Sequence, residues 1–136
     1  MSETRNVANV AVRLGFEPGM VVREMGNDDD TDESVRNSIV ERTGTALVDE
    51  DHEEAADAVI IWFRLGDGDL VDCLVDAADG LEGGAFMWLL TPKEGRPGYV
   101  EREDVEDAAA SAGFQQRRSA TPSPGWNASQ LIAPKR

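Results

Sequence analysis

The sequence predicts an α/β fold: one domain over residues 1–136, built as a three-layer sandwich around a mainly parallel sheet with an antiparallel edge pair at the C-terminus. Three observations carry this expectation. The runs AVIIWF at 58–63 and AFMWLL at 85–90 are continuous, apolar and rich in β-branched and aromatic residues, as suits strands buried on both faces. Segments of helical spacing alternate with these runs. The last two strand-like segments are joined by the short turn TPSPG, which pairs neighbours antiparallel.

Taken in order, Val7, Val10, Ala11 and Leu14 recur at i, i+3, i+4 and i+7, predicting a helix over about 5–14 that Gly15 ends. Pro18 and Gly19 turn the chain into a strand at 20–25, MVVREM, which stops at Gly26. The acidic loop NDDDTDE follows, and Thr31 or Asp32 caps a helix over 33–43 closed by Gly44. A short strand, TALVD, comes next, and EDHEEAA at 50–56 has room for one helical turn. After the strand at 58–63, Asp69 caps a helix whose Leu70, Cys73, Leu74, Ala77 and Leu81 share one side. Gly80, Gly83 and Gly84 break the chain before the strand at 85–90, completing a right-handed βαβ unit. A helix over 102–112 turns Val105, Ala108, Ala109 and Ala112 inward and stops at Gly113. Strand-like residues from Phe114, the TPSPG turn and the strand WNASQLIAP finish the fold.

Charge narrows the function. There are 27 Asp and Glu against 13 Lys and Arg, a net charge of −14, which repels phosphate and argues against nucleic acid. The imbalance is uneven: residues 1–112 hold all 27 acids and 9 bases, whereas residues 113–136 hold 4 bases and no acid. The basic end therefore suits an acidic protein partner or the acidic face of a second copy, with Arg117, Arg118 and Trp126 as candidate contact residues. Trp126, which starts the last strand, either packs on the sheet or rims that surface. With Cys73 and His52 the sole residues of their kind, neither a disulfide nor a Cys/His zinc site can form. The N-terminus lacks a signal-peptide pattern and no window reaches the length of a membrane span, so a cytoplasmic location is expected, with no membrane association.

The pieces DAVIIWF, a helix, LEGGAFMWLL, a helix ending AGF and two edge strands resemble the class I methyltransferase fold, a Rossmann-like architecture, in shortened form over about residues 18–133. Leu81, Gly83, Gly84, Gly113 and Phe114 carry the resemblance. The run VAVRLGFEPGMVV at 10–22, followed by this order of elements, is similar to an actinobacterial family catalogued as a domain of unknown function (family 3052). That family brings an α/β fold and no established chemistry. The methyltransferase resemblance implies a glycine-rich cofactor loop after the first strand. Here that position reads EMGNDDDTD: Gly26 stands alone, and Asp28, Asp29 and Asp30 occupy the place of an anionic carboxylate. Asp49 or Glu50 fits the acid expected after the second strand. Adenosylmethionine is disfavoured by these charges, and no cofactor is assigned.

Other motifs are weaker. Asp28, Asp30 and Asp32 begin like a calcium loop, but Glu33 replaces its glycine and Ile39 its bidentate Glu, so no metal is assigned. His52 reads as exposed and Cys73 as a core residue. Thr31 is a candidate phosphosite. Open α/β sheets bind ligands beyond the carboxyl ends of their strands, which singles out Glu24, Gly26, Asn27, Arg64, Lys93 and Arg96. Arg64 and Lys93 follow the two most buried strands and either hold a small anion or offset nearby acids. Absent any acid, base and nucleophile constellation, the sequence favours a non-catalytic interaction or regulatory module. The alternative is an anionic-ligand binder or enzyme using the Arg64 and Lys93 crevice.

Overall fold

The computed structural model describes residues 10–49, 55–79 and 81–132. Residues 10–13 are helical, and the remainder of the helix expected over 5–14 falls mostly outside the described residues. The elements that follow are β1 (Val22–Met25), α1 (Glu33–Thr43), β2 (Ala56–Trp62), α2 (Leu70–Ala78), β3 (Leu81–Pro92), α3 (Arg102–Ser111), β4 (Gln115–Ser123) and β5 (Trp126–Ile132).

Local chemistry sets the helix ends. The Asp32 side chain accepts the amide of Ser34 at the start of α1, and Gly44, at φ 80°, returns its amide to Val40 at the end. Asp69 caps α2 in the same manner by accepting from the Val71 amide at 2.8 Å. At the end of α3 the amides of Gly113 and Phe114 close onto the carbonyls of Ala110 and Ala109, and Phe114 is buried beside the helix. No helix among the described residues is long and apolar enough to cross a membrane.

The α/β expectation holds, but the five-stranded sheet, in the order β1-β2-β3-β5-β4, is mixed where the sequence predicts a mainly parallel one. The pairings β1 with β2 and β2 with β3 are parallel, and those of β5 with β3 and with β4 are antiparallel. The last two strands pair antiparallel at one edge as expected, with β4 outermost and β5 between it and β3. Their side chains explain the order. Trp126, Ala128 and Leu131 of β5 are buried, whereas most of β4 is exposed.

Alternation along the strands builds two cores. Val59, Ile61, Met87, Leu89 and Leu131 pack with Leu74 and Ala77 of α2 and Val105, Ala108 and Ala109 of α3. Ile60, Trp62, Trp88, Leu90, Trp126 and Ala128 pack with Val35 and Ile39 of α1 and with Ala11, Leu14 and Phe16. Helical residues thus cover opposite faces of the central strands.

Three expectations need correction. The strand TALVD reduces to one bridge, Val48 with Arg23, held by Glu24 N to Val48 O at 2.8 Å and Val48 N to Val22 O at 3.0 Å. The helix after Asp69 ends at Ala78, because Asp79 turns extended at ψ 125°. Leu81 therefore belongs to β3, paired with Ala56, and the backbone of Gly83 and Gly84 is part of the strand instead of a break before it. Glu50 and His52, with the helical turn expected at 50–56, lie wholly or mainly outside the described residues.

Candidate functional site

The parallel strands β1, β2 and β3 deliver Gly26, Arg64 and Lys93 to the same end of the sheet, the end at which open α/β folds hold ligands. A cleft of about 300 Å³ lies there, lined by Gly26, Asn27, Asp28, Arg64, Asp67 and Cys73 among others. Gly26 has φ 81°, and a Cβ on it would run into the carbonyl oxygen of Trp62 on the neighbouring strand. Glycine is required here by the backbone.

Arg64 is the hub of this end. Its Nε and Nη2 donate to both carboxylate oxygens of Asp30, at 2.6 Å for the shortest contact, and its Nη1 donates to Asp67 at 3.2 Å and to the Trp62 carbonyl at 3.1 Å. The side chain is 13% exposed and its guanidinium carbon lies 5.4 Å from the centre of the Trp126 ring. The hydrogen bonds from Arg64 hold the Asp30 carboxyl below its ordinary pKa, against the opposing effect of burial. The same bonds, accepted by Asp30, raise the pKa of the guanidinium in turn. Arg96 approaches the same indole at 5.9 Å and lies against Gly125, while the Lys93 amide donates to the Gly125 carbonyl at 3.0 Å.

Glu24 belongs to a second, buried network. Its carboxylate accepts from Arg36 Nε at 2.6 Å, Arg36 Nη2 at 2.9 Å and the Trp62 indole N–H at 2.8 Å. Arg36 also donates to Glu33, and the hydrogen bonds it gives to Glu24 raise its pKa. Trp62 in turn meets Trp126 edge to face, with ring centres 4.9 Å apart.

The acidic loop is ordered by local bonds. The Thr31 hydroxyl donates to Asn27 Oδ1 and to the Asp28 carbonyl, both at 2.9 Å, and the residue is buried. Burial raises the Asp32 pKa, but hydrogen bonds from the Ser34 and Ser123 hydroxyls and the Ser34 and Val35 amides outweigh it, leaving the carboxyl below its usual value. Asp28, Asp30 and Asp32 thus have separate duties: Asp28 takes the Asp29 amide, Asp30 takes Arg64 and Asp32 caps α1. No group of three His, Cys, Asp or Glu able to hold a metal occurs among the described residues.

The sheet end brings together Gly26, Asn27, Arg64, Lys93, Arg96 and Trp126, with Glu24 behind them in the core. Trp126 packs on the sheet and is 1% exposed. Arg117 and Arg118 lie apart, on β4. Arg117 is exposed beside a register shift, and Arg118 stacks 5.3 Å from the Trp88 ring and donates to the Arg13 carbonyl at 2.7 Å. Sequence reasoning missed Arg36, Asp67 and the role of Trp62. It also missed Arg23, buried on β1, whose Nη1 donates to the Asp79 carbonyl beyond α2 at 2.8 Å. The signal for Arg36 was its position one helical turn after Glu33. The other contacts join residues distant in sequence or buried within strands.

Comparison with known proteins agrees with this fold. The chain is similar to the pyocyanin biosynthetic protein PhzM (TM-score 0.69, 12% identity, covering 93% of this chain and spanning 54% of that one). It is also similar to the magnesium protoporphyrin IX methyltransferase ChlM of Synechocystis, solved with bound SAM (0.57, 14%, 95% and 77%). A SAM dependent methyltransferase of Aquifex aeolicus gives 0.56 at 12% identity, covering 93% and 88%. At such identities these neighbours show the fold alone. The uncharacterized proteins Rv2239c of Mycobacterium tuberculosis and Mb2263c of Mycobacterium bovis are 41% identical over 130 residues, covering 96% of this chain and 82% of theirs. The model of the family described as "Protein of unknown function (DUF3052)" matches residues 11–135, and the chain belongs to that family.

Proposed function

We propose that the protein is a non-catalytic interaction or regulatory module on a methyltransferase-like, three-layer scaffold whose cofactor loop has become a structural clamp. One observation carries this reading. The loop after β1, where a methyltransferase would cradle its cofactor, folds back and commits Asp30 to Arg64 through bonds to both carboxylate oxygens. The principal cation of the strand-end cleft is thereby neutralised from within, and Asp28 adds a carboxylate where an anionic ligand group would sit. The residues of this end hold one another, and a cytoplasmic setting with a protein partner fits them.

The test is thermal unfolding of the purified chain with saturating adenosylmethionine, adenosylhomocysteine and nucleotides. No change in Tm is expected. A rise of several degrees with any of them would overturn the reading, since a ligand that binds the folded state stabilises it. The second reading, a small-anion binder, is favoured by the convergence of Gly26, Arg64 and Lys93 on one sheet end. Phosphate or carboxylate binding lost in the Arg64→Ala, Lys93→Ala double variant would support it. Phosphorylation of Thr31 would have to break its bonds to Asn27 and Asp28, and intact-mass measurement of protein from growing and stressed cells tests for it.

A further inference from the structure

β4 is the last strand in the sheet order, so its outer edge faces no strand among the described residues. Such an edge presents backbone N–H and C=O groups to any further extended chain. Two clefts flank it on opposite faces of the sheet. The first, of about 350 Å³, is lined by Tyr99, Arg102, Val105, Gln116 and Ser119 among others, beside α3. The second, of about 310 Å³, is lined by Val10, Arg13, Leu14, Arg118 and Pro122 beside the helical residues 10–13. Ala120 and Thr121 line both, and no acid lines either. A strand added to β4 alternates its side chains between the faces, so successive residues enter the two clefts in turn.

Charge and geometry select the occupant. Residues 113–136 contain no acid in a chain of net charge −14. Arg118 is held in place by Trp88, by Gln130 at 3.3 Å and by the Arg13 carbonyl, so among the described residues its charge has no carboxylate partner. A second copy is a poor fit. Symmetric pairing of two β4 edges brings two basic segments, each with Arg117 and Arg118, side by side, and the register shifts at Gln116/Arg118 and Ala120/Ser123 interrupt a long ladder. The same features admit a short acidic strand.

We propose that β4 is the docking edge for an extended acidic segment of a partner protein. Its main chain pairs with β4, and its carboxylates reach Arg13 and Arg118 on one face, whereas Arg102 on the other already holds Glu106 at 3.7 Å. Short aliphatic side chains fill the space against Val10, Leu14 and Pro122. This inference rests on the interaction-module reading and names the class of partner.

The experiment selects binders to the full chain from a displayed library of short random peptides, then measures the selected peptide by fluorescence anisotropy. Asp and Glu are expected at alternate positions. Affinity should fall at least about tenfold for Arg13→Glu and for Arg118→Glu, both exposed positions whose folding circular dichroism verifies. Methylating alternate backbone amides of the peptide should also abolish binding to the unaltered protein. Failure to select a binder, selected peptides without acidic bias, or binding indifferent to amide methylation would each overturn the proposal. So would a concentration-dependent dimer that Arg117→Glu dissolves. The adenosylmethionine titration separates the two claims: ligand stabilisation with peptide binding intact overturns the non-catalytic reading alone.

Discussion

The indole N–H of Trp62 donates to Glu24 Oε2 at 2.8 Å inside the core, and the same carboxylate oxygen receives Arg36 Nε at 2.6 Å. Trp62 is 1% exposed and the Glu24 side chain 6%. A carboxylate so placed needs its donors, because burial removes the water that would otherwise solvate it. The pair ties β1 to β2 through side chains as well as through the ladder, and Arg36 extends the tie to α1.

Truncating Glu24 should therefore be costly. Glu24→Ala is expected to lose about 3 kcal/mol in urea unfolding, since it strands Arg36 and the Trp62 N–H together. Glu24→Gln, which keeps the shape and an acceptor, should lose about half as much. Equal losses for the two would show that volume, not charge, matters at this position.

The Asp30–Arg64 clamp predicts a pH dependence. The folded Asp30 carboxyl lies below the ordinary value of 3.8, so the unfolded chain binds the proton more tightly. The contribution is complete above the unfolded pKa and is lost as pH falls through the depressed folded one. With the Asp30 side chain 42% exposed, solvent screening limits the effect to about 1 kcal/mol or less. The difference in Tm between the natural protein and Asp30→Asn should be present at neutral pH and shrink progressively on acidification below 3.8. A difference constant down to pH values well below that range would count against the clamp.

Two glycines at the sheet end should respond unequally. Gly26→Ala forces a Cβ into the Trp62 carbonyl at positive φ, and a loss of about 2 kcal/mol or more is expected in chemical unfolding. At Gly125 a Cβ meets the tip of the exposed Arg96 side chain, which can move aside. Gly125→Ala should change stability by less than about 0.5 kcal/mol.

Trp88→Phe removes the indole N–H that donates to the Leu14 carbonyl at 2.7 Å and leaves a smaller platform for Arg118. Both contacts anchor the segment after the helical residues 10–13. Hydrogen exchange at the Leu14, Gly15 and Phe16 amides should quicken about tenfold relative to the β2 amides, a change of about 1.4 kcal/mol in local opening. Uniform acceleration across the chain would instead indicate general loss of core packing.

How much of this was legible follows from the range of each interaction. β2 and the later part of β3 announce themselves through continuous apolar runs, and α1 through Asp32 and Gly44, because these signals lie within the element itself. Leu81 misled because its spacing after Leu70, Leu74 and Ala77 suits a helix as well as a strand. Tertiary pairing with Ala56 decided the matter. Val48 looked like part of a strand, yet only that residue pairs with β1. At the strand ends, Gly26, Arg64 and Lys93 could be placed from topology. The partner of Arg64 could not, because Asp30 lies 34 positions away in a run of aspartates with no local mark of distinction.

The position of β5 inside the sheet has a consequence during synthesis. β3 gains its second neighbour only when β5 emerges from the ribosome. Until then the nascent chain exposes the apolar flank of AFMWLL, a segment of the kind that recruits other chains into aggregates. The polar β4 precedes it and can form a hairpin with β5 before docking, so the final step delivers a preformed ribbon and shortens the interval in which that flank is bare.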